Sequence, residues 1–153
     1  MSASSDANST AADSAASTPA SDAMFRTRLA VRWRDLDAFN HVNNAMFLSY
    51  IEEARLRWLL TLDGPWMDAN VAPVVASALV NFKQPIAWPE DVIVELLVNR
   101  VGNSSFILGH RILSAKDTSV LYCDGHVVMV WFDSRTQKSA PLPESVRAAC
   151  VSA

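Results

Sequence analysis

The sequence predicts an α+β domain in which one long helix lies against an antiparallel sheet. Three observations lead there. Residues 25–33 (FRTRLAVRW) alternate apolar and basic side chains with period two. Phe47, Tyr50 or Ile51, Ala54, Trp58 and Leu62 then recur at helical spacing. Beyond residue 70 the chain turns to Val-rich runs separated by turn residues.

In chain order, the first strand puts Phe25, Thr27, Leu29, Val31 and Trp33 on one face and Arg26, Arg28 and Arg32 on the other. A loop follows over 34–42, rich in the Asp and Asn that favour turns. The helix begins at Asn43 or Asn44, either of which can cap it by accepting a first-turn N–H. Asp63-Gly64-Pro65 ends it. Glu53 and Arg57, four apart, predict a surface ion pair. Strands are expected over 72–84, 92–101, 104–114 and 120–132, and a closing helix over 142–151. Pro85 and Pro89 bend the chain after the first of these, and Gly102-Asn103 and Asp117 supply turns.

The chain has 153 residues, enough for one domain with a real core. Of residues 1–23, 17 are Ser, Ala or Thr and none is a large aliphatic or aromatic residue other than Met1. Such a segment has too little apolar surface to offset the entropy of ordering, so 1–23 reads as a disordered tail and 24–153 as the domain. The tail lacks the basic start and apolar run of a secretory signal. It holds Asp6, Asp13 and Asp22 and no base, so the net charge of −3 arises there and the domain is balanced. A neutral domain argues against a nucleic-acid partner. No run reaches the ~20 apolar residues of a membrane span, so no membrane partner is expected and the localisation read is cytoplasmic. Cys123 and Cys150 lack zinc-ligand spacing and read as free thiols.

The chemistry concentrates in DLDAFNHVNN, residues 35–44. Two carboxylates, a histidine and two asparagines stand directly ahead of the helix. A helix start offers unpaired N–H groups and partial positive charge, a place for an anion or a developing oxyanion. A carboxylate one loop away from that end can act as base or nucleophile. A metal site from Asp35, Asp37 and His41 is not expected, because His110 and His126 lie on strands without ligand spacing.

The pattern VRWRDLDAFNHVNNAMFLSYIEEAR resembles the signature of acyl-CoA thioesterases of the 4-hydroxybenzoyl-CoA thioesterase type, and NFKQPIAWPEDVIVE is similar to a second segment of that family. The resemblance runs from Phe25 to the C-terminus and implies a hotdog fold, a long central helix wrapped by a curved antiparallel sheet, with active sites at a dimer interface. It implies an acyl-CoA substrate, no cofactor, and a homodimer, with a dimer of dimers left open. Asp37 matches the catalytic carboxylate, as nucleophile or as activator of water, and the Asn44 backbone N–H matches the oxyanion donor. His41 and Asn43 fall at positions that shape the loop, and Asp35 is the lesser candidate. Glu53 and Arg55 lie in the helix part of the signature, where a structural ion pair or dimer contact is expected. The hairpin around Arg100, Ser104 and Ser105 matches the region that contacts CoA. The acyl pocket is expected between helix and sheet, among Phe47, Tyr50, Trp58, Val75 and Phe82. A non-catalytic acyl-CoA-binding module and a hotdog dehydratase or hydratase stand as alternatives.

Overall fold

A computed structural model describes residues 22–151. The predicted tail lies almost entirely outside the described residues. The elements run β1 (Phe25–Ala30), a 3₁₀ turn (Trp33–Asp35), α1 (Asn44–Leu59), β2 (Val71–Phe82), β3 (Asp91–Val101), β4 (Ser105–Ser114), β5 (Leu121–Asp133), β6 (Lys138–Ser139) and α2 (Glu144–Val151). The α+β expectation holds.

All strands pair antiparallel, in the order β1-β3-β4-β5-β2, with the short β6 also on β5. One transverse row reads Leu96, His110, Gly125, Val80. No side chain fits at Gly125: a Cβ there would stand 2.0 Å from the Leu79 carbonyl oxygen and 2.8 Å from His110 Nε2.

α1 packs against β1 and β3. Phe47, Ile51, Ala54 and Trp58 are buried together with Val92, Val94, Leu96 and Leu108. Burying each large aliphatic or aromatic side chain contributes roughly 1.5–3 kcal/mol. Trp58 meets Phe106 edge-on at 5.8 Å, and Phe106 continues to Trp131 at 5.7 Å. The basic side of β1 is tied to its neighbour strand, with Arg28 Nε donating to Asp91 at 2.9 Å and Arg26 paired with the buried Glu95. Cys123 and Cys150 are buried free thiols.

The two edges differ. β2 has β5 as its neighbour and presents Val74, Val75, Leu79 and Phe82 to solvent. A long apolar edge of this kind is a template for pairing with another chain. β1, the opposite edge, is shorter than its alternating sequence predicts. Asp35 captures the backbone N–H of Arg32 at 3.1 Å, so the chain turns into 3₁₀ geometry and Trp33 swings out to 73% exposure instead of completing the buried face. β6 was not expected; it is two residues long and carries no periodic signal.

Candidate active site

The loop between β1 and α1 is built around a buried carboxylate. Asp35, 2% exposed, accepts from Tyr50 Oη at 2.7 Å and from Arg32 Nε at 3.1 Å. Burial alone pushes this carboxyl upward, but the Tyr50 hydroxyl and then the Arg32 side-chain and backbone N–H groups outweigh it and hold Asp35 below its usual range. Burial and the same bond raise the Tyr50 phenol well above its usual range. The Asp35 carbonyl accepts the Asn43 N–H at 2.9 Å, so one residue fastens the loop to both the flank and the start of α1.

From that anchor the chain makes a closed turn. Leu36 and Val42 form an antiparallel bridge, and the Asp37 N–H donates to the His41 carbonyl at 2.8 Å. Asn40 sits at φ 59°, a left-handed conformation that asparagine tolerates better than most residues. The Val42 N–H donates to Ile86 O at 2.8 Å, stitching the turn to the loop after β2. The helix cap resolves to Asn43, whose Oδ1 accepts the Ala45 N–H at 3.0 Å. Asn44 is the first helical residue, and its N–H has no acceptor among the described residues.

Asp37 stands at the mouth of this arrangement. Its Oδ1 accepts the Phe39 N–H at 2.8 Å, while Oδ2 has no hydrogen-bond partner among the described residues. A concavity of about 330 Å³ is lined by Asp37, His41 and Asn44 together with Phe39, Phe47 and Phe82. Phe47 and Phe82 meet edge-on, their ring centres 5.0 Å apart. A carboxylate, an unsatisfied helix-start N–H and an apolar wall thus share one open depression. That set can attack, or direct water onto, a carbonyl carbon while the N–H receives the developing oxyanion.

The other expected contacts fall elsewhere in the chain. Tyr50, read as an acyl-pocket residue, is instead spent on Asp35 and faces a separate cavity of about 290 Å³ between β1 and α1. Trp58 is buried core. The β3–β4 hairpin carries Arg100 and Ser105 along a further, smaller depression of about 230 Å³. The Ser104 carbonyl there accepts the Trp131 N–H. Glu53 pairs with Arg57 at 2.8 Å, whereas Arg55 is buried on α1 with its charge disfavoured by desolvation. Phe39 was overlooked in the sequence; its signal is a large apolar residue at the tip of a polar turn, between Asp37 and His41.

A model of the thioesterase-like superfamily matches residues 31–150, the span from the end of β1 through α2. A solved structure from Xanthomonas campestris, described as a candidate acyl-CoA thioesterase, is 50% identical; the match covers 78% of this chain and 98% of that one, with a TM-score of 0.71. A thioesterase from Thermus thermophilus, solved with coenzyme A and Zn, is 33% identical over 86% of this chain and 94% of its own, with a TM-score of 0.72. The long-chain acyl-CoA thioesterase FadM of Escherichia coli K12 is 30% identical over 124 residues, 80% of this chain and 93% of FadM. The turn bearing Asp37, the whole of α1 and every long strand after it fall inside the matched span, and the chain belongs to the thioesterase-like superfamily, with its hotdog fold.

Proposed function

We propose that the protein hydrolyses an acyl-CoA thioester to the free acid and CoA. The observation that carries this reading is the shared depression of Asp37, the free Asn44 N–H and the Phe47–Phe82 wall. Asp37, through its unoccupied Oδ2, attacks the thioester carbonyl or takes a proton from the attacking water. The tetrahedral oxyanion is received by the Asn44 N–H. Collapse breaks the C–S bond, and the CoA thiolate leaves and takes up a proton. If Asp37 attacks directly, water then hydrolyses the resulting mixed anhydride. His41 contributes through its carbonyl, which holds the Asp37 N–H and so sets the turn.

The acyl group lies along the apolar wall of Phe47 and Phe82, with a long chain favoured by the similarity to FadM. The working unit is a homodimer formed along β2, whose exposed Val74, Val75 and Leu79 are the edge available for a second copy. In that unit the Arg100–Ser105 hairpin of one protomer meets the CoA moiety bound at its partner's Asp37 depression, which supplies the contacts one protomer keeps apart.

Free-thiol release from acyl-CoAs of increasing chain length, with wild type and Asp37→Asn side by side, tests the reading. Positioned general acid–base groups contribute roughly 10²–10⁴-fold, so Asp37→Asn should lose at least about 10²-fold in kcat with its melting temperature unchanged. Near-wild-type kcat in that variant removes Asp37 from the chemistry. No turnover on any acyl-CoA favours a binding module.

A further inference from the structure

The turn between β3 and β4 is held by its carbonyls. The Gly102 N–H closes it by donating to Ser105 O at 2.8 Å. Ser104 O accepts the Trp131 N–H at 2.9 Å, and Asn103 O accepts the Leu142 N–H at 2.9 Å. Arg147, on α2, reaches the same turn with a single nitrogen: Nη2 donates to Gly102 O at 3.2 Å and to Asn103 O at 3.1 Å. Every carbonyl oxygen from Gly102 to Ser105 is therefore engaged, by the turn itself, by β5, by the segment ahead of α2 and by α2.

What remains is donors. The Asn103 and Ser104 N–H groups have no acceptor among the described residues, and the Ser104 and Ser105 hydroxyls and the Asn103 amide have no hydrogen-bond partner among them either. Arg100, two residues ahead of Gly102, is exposed and makes no ion pair among the described residues. Arg100 and Ser105 line one depression. The hairpin holds no acidic residue from Leu96 to Leu108, and the one carboxylate of α2 is Glu144. β5 runs beside the turn without a charge from Val127 to Phe132, and Asp133 beyond it is paired with Arg135.

A turn that offers N–H, hydroxyl and guanidinium donors, with its carbonyl oxygens withdrawn, suits an oxygen-rich anion such as a phosphate. CoA carries its phosphates on the nucleotide end, away from the thioester. We propose that Arg147 is a positioning residue for CoA recognition: its two carbonyl bonds fix the turn against α2, so that the donors of the turn and Arg100 meet the CoA phosphates in a set geometry. Arg147 itself touches no part of the substrate. Without it Asn103 O keeps the Leu142 N–H, but Gly102 O loses its partner and is free to turn outward, where a carbonyl oxygen repels phosphate. The choice of CoA as the anion rests on the acyl-CoA reading above; the withdrawal of the carbonyls does not.

Calorimetry of the full chain with CoA and with pantetheine, which lacks the nucleotide and its phosphates, decides the matter, alongside thiol release from an acyl-CoA. Wild type should bind CoA more tightly than pantetheine. Arg147→Ala should weaken CoA binding about tenfold, the scale of one hydrogen bond to a charged group, and leave pantetheine binding unchanged. Arg147→Lys, whose ammonium can donate to the same two carbonyls, should recover most of the loss. Equal weakening of both ligands marks a general loss of structure and overturns the proposal, as does wild-type CoA affinity in Arg147→Ala. Wild type that binds CoA no more tightly than pantetheine overturns it too. Arg100→Ala breaks no hydrogen bond of the fold among the described residues and keeps the proposal testable if Arg147→Ala folds poorly. It should weaken CoA alone, and unchanged CoA affinity there overturns the proposal. Absence of thiol release refutes the thioesterase reading alone, because CoA binding is read without turnover.

Discussion

Replacing Tyr50 with Phe separates two roles for a residue that stands one helical turn beyond the depression that holds Asp37. The change deletes a single oxygen, the donor of the 2.7 Å bond to buried Asp35. A hydrogen bond to a charged group contributes about 1.5–3 kcal/mol. The lost hydroxyl leaves little cavity, and Arg32 still partners the carboxylate, so about 2 kcal/mol is expected. For a domain of this size that lowers the melting temperature by roughly 6–10 °C. Its pH dependence has a definite sign. The folded-state pKa of Asp35 is depressed, so its stabilisation is fully present above the unfolded carboxylate value near ~4 and is lost as pH falls through the folded value. The Tyr50 bond is the foremost of the contributions that lower it. The stability gap between wild type and Tyr50→Phe should therefore be constant from about pH 5 up to neutral pH and should narrow in stronger acid. Thermal and denaturant unfolding at pH 7 and pH 3, with KM and kcat for one acyl-CoA, make the test. A loosened Asp37 turn lowers kcat with little change in KM. An unchanged melting temperature combined with a raised KM would refute this account and return Tyr50 to the acyl pocket.

Further expectations concern the same loop and the sheet beneath it. His110 is 1% exposed with both ring nitrogens unpartnered among the described residues, and burial, then Arg55 and His126, lower its pKa to about 4. Its stabilisation is present above the unfolded value of 6.5 and lost as pH falls towards 4, about 3 kcal/mol in all; His110→Phe should remove that part of the acid dependence in denaturant titrations at pH 7 and pH 4. At Asn40, φ 59° means that Asn40→Val should cost roughly 1–2 kcal/mol while Asn40→Gly is tolerated, a contrast read by thermal melts. Asn43→Ala removes the cap bond to the Ala45 N–H and should cost about 1 kcal/mol, with hydrogen exchange accelerated in the first turn of α1.

What the sequence by itself determined is what acts over a few residues. The core stripe of α1 was legible because helical periodicity is a local geometric repeat, and Phe47, Ile51, Ala54 and Trp58 are all buried. The Glu53–Arg57 pair was legible for the same reason. Asp37, His41 and Asn44 share one depression because they lie within eight residues of each other, and a turn followed by a helix cap cannot carry them far apart. Trp33 shows where local reasoning ends: the alternation continues through it, but the Asp35 carboxylate competes for the Arg32 N–H and ends the strand first. Only the tertiary structure decided that Tyr50 turns to Asp35 and not to the Phe47–Phe82 wall, that Phe82 arrives opposite Phe47, and that the Arg100 hairpin lines a different depression from Asp37 within the chain. It also decided that the Val-rich run of β2 becomes an exposed edge instead of a covered strand. Those outcomes depend on which distant segments pair in the sheet and on which flank of the helix meets it. The free energy that selects among such arrangements comes from burial and satisfied hydrogen bonds between residues tens of positions apart, which no short stretch of sequence records.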